Sequence, residues 1–265
     1  MRLPFLQTSF IGQQFHFLPI CASTNAEAHA AVVKNGATAE GLTILADHQT
    51  AGRGQRGNAW QAPPGQNLTF SVVLRPTFLA APAQFALSIA VALAGLDTLR
   101  AVLPPAPAAT ARVKWPNDLY LGDRKVGGIL IENALRGSLI GFSVVGIGLN
   151  VNQLEFDPAL PNPTSLALAA GRQLDRAAVL TTLLTNLEAR YLALRSGAEA
   201  RQRAIYLLHL YRIGELVRFA FADGAPPAEG VIRGVDARGQ LVIAFSDDER
   251  SFDVQEIKLL LSSAD

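Results

Sequence analysis

A short stretch rich in glycine and arginine, residues 51–60, holds the residue types best suited to binding an anion. It reads Ala-Gly-Arg-Gly-Gln-Arg-Gly-Asn-Ala-Trp. Glycines let the backbone approach a ligand closely, and the N–H groups of such a loop can cradle an anion. Arg53 and Arg56 add planar donors that match a carboxylate or phosphate, and Trp60 adds an apolar surface. The stretch predicts a site for a small, partly apolar anion or a nucleotide phosphate, with a solvated surface hairpin as the alternative.

A second segment with chemical potential covers residues 112–132. Its pattern predicts three strands joined by a Pro-Asn-Asp turn and a tight turn at Gly122 and Asp123. The glycine pair at 127–128 inside an apolar run indicates a bulge or a close approach of the backbone to a ligand. Asp118 and Lys125 are the charges that could serve a site here. Their structural alternatives are a turn-forming aspartate and an exposed hairpin lysine.

The rest of the chain alternates between strand-like and helix-like patterns that would position these two segments. Strands are predicted at 14–20, 41–46, 67–74 and 138–152, and helices at 24–34, 83–102, 164–170, 175–195 and 197–208. Thr24 and Glu27 have the spacing of a capping box, and Gly36 would end that first helix. The three prolines of residues 104–109 predict a stiff connector.

From about residue 213 the composition changes to short strands separated by turns. Strands are predicted at 214–219, 230–235, 239–245 and 251–254. Such a series is typical of a small barrel of about fifty residues. We therefore expect two domains, residues 1–210 and 211–265.

Composition excludes several classes of function. A net charge of +1 lacks the basic excess of most nucleic-acid-binding proteins. The four histidines are scattered, so we expect no zinc site. The letters of a dinucleotide-binding fingerprint occur at residues 52–57, but Trp60, Pro63 and Pro64 prevent a helix from opening there. The lone cysteine, the polar N-terminus and the lack of a long uninterrupted apolar run predict a cytoplasmic protein that does not cross a membrane.

Several segments together carry a family resemblance. They are Ser-Thr-Asn at 23–25, the stretch from Gln49 to Trp60, Lys-Trp-Pro-Asn-Asp at 114–118, the lysine and glycines of 125–130, and Gly-Ile-Gly-Leu-Asn at 146–150. In this order and spacing they resemble the catalytic and C-terminal domains of bacterial biotin–protein ligases. The resemblance implies an α+β fold, with a mixed β-sheet catalytic domain packed with helices, of the class II synthetase and biotin ligase type. It also implies an SH3-like C-terminal β-barrel.

The activity that the resemblance implies has two steps. Biotin and ATP, with Mg²⁺, give biotinyl-5′-AMP, and a lysine of biotin carboxyl carrier protein then takes the biotinyl group. The implied catalytic residues are Arg53, Lys125 and Asp118, the last orienting the attacking lysine or the metal. The implied biotin-binding residues are Ser23, Thr24, Asn25, Gln49, Gly52, Arg53, Gly54, Gln55, Trp60, Lys125 and Gly128. Those implied for ATP and the adenylate are Arg53, Gln55, Arg56, Asn58, Trp60, Asn117, Lys125 and Asn150.

Two departures from the family pattern carry further expectations. Many members have arginine where this chain has Gln55, and Asn58 likewise replaces a frequent basic residue. A neutral hydrogen bond contributes about 1 kcal/mol against about 1.5–3 for a charged one, so we expect a loosely held adenylate unless Arg56 takes over. Too few residues precede Ser23 for a winged-helix domain, which predicts the short form of the enzyme without repressor function.

Two other functions stay open at this point. A lipoate–protein ligase is a related acyl-adenylate enzyme, although the Lys-Trp-Pro-Asn-Asp block and the full glycine and arginine loop favour biotin. An RNA-binding module could use the same loop and a small barrel, but the near-neutral charge argues against it. The expected partners are the carrier protein, biotin and ATP, without nucleic acid or membrane. The protein is expected to be a monomer or a homodimer.

Overall fold

The computed structural model describes residues 6–260 and builds them into two β-sheets with helices packed around the first. The first sheet has seven strands: Phe15–Cys21 (β1), Thr43–Gln49 (β2), Leu68–Leu74 (β3), Ala111–Lys114 (β4), Asp118–Leu121 (β5), Arg124–Arg136 (β6) and Leu139–Leu149 (β7). Their order is β1-β2-β3-β7-β6-β5-β4. β1 and β2 run parallel and every other neighbouring pair is antiparallel, so the sheet is mixed, as predicted.

Helices cover both faces of this sheet. They are Thr24–Asn35 (α1), Phe85–Val102 (α2), Pro105–Ala109 (α3), Leu166–Ala170 (α4), Arg176–Arg195 (α5) and Glu199–Leu208 (α6). α1 packs on β2, β3 and β7, whereas α2 packs on α5, α6 and the strands β4 to β6. This cover explains why all seven residues of β3 are buried. Its polar residues Thr69 and Ser71 lie on the face of the sheet that α1 covers, and Ser71 contacts Thr24 at the start of that helix.

The second sheet is antiparallel and has five strands. They are Leu216–Phe221 (β8), Ala228–Val235 (β9), Leu241–Ala244 (β10), Glu249–Phe252 (β11) and Ile257–Leu260 (β12), in the order β11-β10-β9-β8-β12. The sheet is consistent with the predicted SH3-like domain, although β12 was not among the predicted strands. The division at residue 210 stays a prediction, and the outer ends of the two predicted domains, residues 1–5 and 261–265, lie outside the described residues.

Two local predictions were wrong. The predicted connector at 104–109 forms the short helix α3, because Pro104 and Pro105 stand at its start, where a missing N–H costs nothing. The predicted capping box does not form either. Ser23 occupies the N-cap position of α1 without a side-chain capping bond, and the Thr24 hydroxyl bonds to Gln49 instead. A tertiary partner has therefore replaced the local one. Gly36 ends α1 with φ +57°, as predicted.

Helix α2 forms the centre of the main hydrophobic core. With the turn before it, Ala81–Val102, it is long and apolar enough to cross a membrane by length and composition. In the structure, 72% of its most apolar 18-residue window is buried against the rest of the chain. Burial of this kind is what a core helix of a globular domain shows, because its apolar surface is already covered by protein.

The N-terminal segment is fastened to the body by one buried carboxylate. Glu188 of α5 is 6% exposed and accepts hydrogen bonds from the backbone N–H groups of Ser9, Phe10 and Ile11, the last two at 2.9 Å. Three donors on one ionised group form a charge-assisted cluster. The segment that leads into β1 therefore has a fixed path over α5.

We expect Glu188→Ala to lower the free energy of unfolding by about 3 kcal/mol, because buried backbone donors would lose their acceptor. Glu188→Gln keeps one acceptor oxygen and should lose roughly half as much. Urea denaturation of both variants beside the wild type measures the difference. An alanine variant within about 0.5 kcal/mol of the wild type, the range of ordinary surface substitutions, would contradict this account.

Candidate active site

A cavity of about 280 Å³ opens where residues 51–60 face the centre of the first sheet. Its walls come from the start of α1, the end of β2, strands β3 to β7, and the second sheet. Among the predicted site residues it is lined by Ser23, Thr24, Asn25, Gln49, Arg53, Gly54, Gln55, Asn58, Trp60, Asn117, Asp118, Lys125 and Gly128. The sheet thus brings together residues that lie up to 105 positions apart in the sequence.

The floor of the cavity is a buried network of hydrogen bonds. Ser71 Oγ lies 2.7 Å from Thr24 Oγ1 and 2.6 Å from Asn25 Oδ1. Gln49 Oε1 accepts from the Thr24 N–H at 2.7 Å and from the Thr24 hydroxyl at 3.1 Å. Because each of these side chains is fixed by another, the polar atoms of the floor have defined orientations before any ligand binds.

Glu132 extends this network to the glycine and arginine loop. One of its oxygens accepts from Asn25 Nδ2 at 2.6 Å and lies 3.3 Å from His29 Nε2. The other lies 3.5 Å from a terminal nitrogen of Arg53. Sequence reasoning missed Glu132, since no local signal distinguishes it from other polar residues of a long strand. It missed Ser71 for the same reason.

Glycines of β7 allow the loop and α1 to approach the sheet closely. A Cβ on Gly148 would collide with the indole of Trp60, and one on Gly146 would collide with the amide of Asn25. Trp60 Nε1 is buried, and within residues 6–260 no hydrogen-bond acceptor reaches it. Close approach to the backbone was predicted at Gly127 and Gly128 and also at the glycines of the strand over 138–152. A Cβ on Gly127 would lie 2.9 Å from the Gly148 carbonyl oxygen.

The cationic side of the cavity is built on β4, β5 and β6. Lys125 Nζ forms an ion pair with Asp118 Oδ1 at 2.7 Å. Asn117 Nδ2 donates to the Ile129 carbonyl and fixes the turn before Asp118. Lys114, opposite Asp118 in the β4–β5 pair, also lines the cavity, although the sequence analysis did not name it as a site residue. The described lining of the cavity carries four positively charged side chains and one negatively charged one, Asp118. The positive ones are Arg53, Lys114, Lys125 and Lys258, so the cavity favours anions.

The second sheet closes one end of the cavity. Ile232, Leu241 and Ile257 line it from that side. The Trp115 indole N–H donates to the Gly239 carbonyl at 2.8 Å, which holds the β9–β10 turn against the first sheet. Tyr211 lines the same end. Burial and the hydrogen bond from its hydroxyl to Asp123 at 2.7 Å raise the pKa of Tyr211 to about 12, so at neutral pH it is a donor and not a base.

Two of the predicted site residues do not line the cavity. Gly52 does not line the cavity and instead packs against the Trp60 carbonyl and the Gln49 amide. Asn150, which was expected near the adenine, is 6% exposed and donates to the Thr164 carbonyl at 2.9 Å. Asn150 thereby supports the wall behind Lys125, whose backbone carbonyl accepts from the Thr164 N–H at 2.8 Å. The Arg56 side chain lies outside the described part of the chain.

Comparison with known proteins agrees with this arrangement. Residues 20–150 match the model of the biotin/lipoate A/B protein ligase family. The chain is 36% identical over 223 residues to a biotin–[acetyl-CoA-carboxylase] ligase from Mycobacterium tuberculosis, with 83% of this chain and 79% of that protein covered. It belongs to the biotin protein ligase family. The chain is therefore an enzyme, a biotin–protein ligase.

Two further relatives extend the similarity. The bifunctional ligase/repressor BirA of Bacillus subtilis is 30% identical over 259 residues, which cover 96% of this chain and 76% of that protein. A biotin protein ligase from Aquifex aeolicus, solved in complex with biotin and ATP, superposes with a TM-score of 0.75 at 25% identity. That alignment covers 94% of this chain and all of the other. The likeness includes the second sheet, since 94% coverage leaves little of the chain unmatched.

The contact between Trp60 and Gly148 can be tested by adding one methyl group. We expect Gly148→Ala to displace Trp60 and free residues 51–60 to move away from the sheet. A cost of about 1 kcal/mol, the low end for overpacking, raises the displaced population about fivefold. Trypsin cleavage after Arg53 and Arg56 should accelerate accordingly.

Gly128→Ala is the matched control, because its Cβ would have its nearest neighbours at an ordinary 3.6 Å. It should leave the cleavage rate at the wild-type value. Equal cleavage of Gly148→Ala and wild type would show that the indole does not depend on this glycine. We also expect biotin and ATP together to order residues 51–60 and slow this cleavage, because three glycines in a short polar stretch hold no single conformation without a ligand.

Proposed function

We propose that this enzyme activates biotin with ATP as biotinyl-5′-AMP and transfers it to a specific lysine of a biotin carboxyl carrier protein. The names of the relatives support the acceptor class, since the Mycobacterium protein is a ligase for acetyl-CoA carboxylase. The Aquifex complex supports the two small substrates, since it holds biotin and ATP. The observation that carries the proposal is the joining, in one cavity, of a preformed polar floor with a cationic wall.

The floor suits the biotin ring system. Thr24, Asn25 and Gln49 offer donors and acceptors whose directions are fixed by Ser71 and Glu132. A buried site of this kind rejects a ligand that lacks the matching polar groups, because its own groups would stay unpaired. Trp60 covers the apolar part, and Gly148 gives it room. We therefore assign the ring to the floor and direct the carboxylate of biotin toward Arg53 and Lys125.

In the first step a carboxylate oxygen of biotin bonds to the α-phosphorus of ATP, and the bond to the bridging oxygen of the β-phosphate breaks. Negative charge grows on the oxygens around phosphorus during this step. Lys125 is the cation placed to stabilise it, and Arg53 is the second. Both are paired with carboxylates in the absence of ligand, so the phosphate has to compete with Asp118 and Glu132. Gln55 and Asn58 line the same region without adding charge.

In the second step the ε-amine of the carrier lysine attacks the carbonyl carbon of the adenylate, and AMP leaves with the electron pair of the broken carbon–oxygen bond. The amine has to lose a proton, and Asp118 is the carboxylate in the cavity that can orient it. Mg²⁺ suits this site as an ion that arrives with the nucleotide, because it commonly uses one or two carboxylates together with phosphate oxygens. Asp118 would be its protein ligand, and the ion would neutralise phosphate charge.

Lipoate is the competing substrate, since the matched family includes lipoate ligases. The fused ring of biotin carries a ureido group, whereas the lipoate ring has no hydrogen-bonding group of that kind. Calorimetry with each acid separates them. We expect biotin to bind and lipoate to bind at least about 100-fold more weakly, as polar sites reject partners that leave them unpaired.

Mass spectrometry of a carrier domain incubated with enzyme, ATP and biotin should then show one added biotinyl group. Preference for lipoate would refute the proposal.

Other parts of the assignment remain proposals. We propose a ligase without operator binding, although the Bacillus relative is a bifunctional ligase/repressor. The net charge of +1 supports this view. A mobility-shift assay with adenylate-loaded protein tests it, and a specific shift that survives competitor DNA would overturn it. The cytoplasmic setting and a monomeric or homodimeric state stay predictions.

We expect Lys125→Ala to lower biotin-dependent pyrophosphate release by about 100-fold or more, because removing one preorganised group that stabilises transition-state charge costs about 3 kcal/mol. Its melting temperature should stay near the wild-type value, since Lys125 is partly exposed. Lys34→Ala, a change of an exposed lysine on α1, is the control for loss of charge alone. Near-normal turnover by Lys125→Ala would remove Lys125 from the catalytic machinery.

A further inference from the structure

The cations around the cavity differ in how far their charge is already neutralised. Lys125 is paired with Asp118 at 2.7 Å, and Arg53 lies 3.5 Å from Glu132. Lys114 lines the same cavity, and no carboxylate within the described chain lies within 4.0 Å of its ammonium group. Lys114, which belongs to a motif of the resemblance but was assigned no role in the site, is therefore a cation of the cavity whose charge is not already balanced by an acid.

The position of Lys114 is well fixed. Its ammonium nitrogen lies 3.1 Å from the hydroxyl of Tyr120 and 5.1 Å from the centre of that ring. Tyr120 is 2% exposed and cannot move easily. On either side of Lys114, the Val113 carbonyl accepts from the Tyr211 N–H at 2.8 Å, and the Trp115 indole donates to the Gly239 carbonyl. The strand that carries the lysine is thus held between the two sheets.

The chemistry of this ammonium group suits a phosphate. An ammonium has three donors, and the Tyr120 hydroxyl takes one of them. A single hydrogen bond to a phenol and contact with a ring leave most of the charge available to a stronger acceptor. ATP carries two more phosphates than the adenylate that Lys125 is assigned to stabilise. Those two phosphates need a cation near Lys125. Lys114 is opposite Asp118 in the β4–β5 pair, and Asp118 forms the ion pair with Lys125, so the two lysines are neighbours of the same carboxylate.

We propose that Lys114 binds the terminal phosphates of ATP and stabilises the departing pyrophosphate. The assignment rests on the proposed function and adds a leaving-group subsite to it. When the bond between the α-phosphorus and the bridging oxygen breaks, the electron pair stays on that oxygen and adds negative charge to the pyrophosphate. Lys114 faces this charge in the first step. Biotinyl-5′-AMP has no such phosphates, so Lys114 has no charge to stabilise in the second step.

This difference between the two steps provides the test. For Lys114→Met we expect kcat/KM for ATP, measured as biotin-dependent pyrophosphate release, to fall roughly 10- to 100-fold, as expected for loss of one charged contact. Release of biotin from synthetic biotinyl-5′-AMP to hydroxylamine should stay within about twofold of the wild type. Lys114→Arg keeps the charge and should recover most of the first step. Binding of biotin alone should be unchanged in both variants.

Several outcomes would overturn the assignment. They are an unchanged first step in Lys114→Met, an equal loss in both steps, or an arginine variant as poor as the methionine variant. The last two would indicate that Lys114 serves only to pack on Tyr120. Calorimetry with inorganic pyrophosphate keeps the proposal testable on its own. If the wild type binds pyrophosphate and Lys114→Met does not, the subsite is supported. This holds even if the wild type forms no adenylate, a result that would refute the proposed function and not the subsite. Equal binding of pyrophosphate by both would refute the subsite.

Discussion

The buried hydroxyl of Ser71 is the contact on which the site depends. It reaches Thr24 and Asn25 at the start of α1, and through them it is connected to Gln49 on β2 and Glu132 on β6. Glu132 in turn contacts Arg53 of the glycine and arginine loop. One continuous network therefore joins five parts of the chain around the cavity. Because Ser71, Thr24 and Asn25 are buried, a missing partner among them would cost more than an exposed hydrogen bond, and each of these side chains has one preferred orientation.

A second constraint is the balance of charge in the absence of ligand. Lys125 and Arg53 are each paired with a carboxylate. These carboxylates offset the repulsion between the two positive charges. Under the proposed function, an entering phosphate would replace part of each ion pair, and the acids would then be available to the carrier lysine or to Mg²⁺. Lys114 differs, because its partner is a phenol and a ring. The site thus combines two cations that are paired with carboxylates, Lys125 and Arg53, with a third, Lys114, that has no carboxylate partner within the described chain.

Signals local in the sequence predicted most of the fold. The helical spacing of apolar residues located α2 and α5, and the turn at Gly122 has the positive φ that a tight turn needs. The capping box failed, and two residues of the site were missed, because distant residues decided the outcome. Thr24 has the spacing of a helix cap, but its hydroxyl bonds to Gln49 on β2. Glu132 and Ser71 became recognisable only when the sheet placed them beside α1.

The most direct test of this account is the affinity of Ser71→Ala for biotin. Ser71 does not line the cavity, so its removal leaves every proposed contact with the ligand in place and takes away only the group that orients Thr24 and Asn25. Calorimetry should show biotin binding weakened by about fivefold or more, since one lost neutral hydrogen bond contributes about 1 kcal/mol. The variant should still be folded at the temperature of the measurement. Wild-type affinity for biotin in Ser71→Ala would contradict the claim that this network prepares the site.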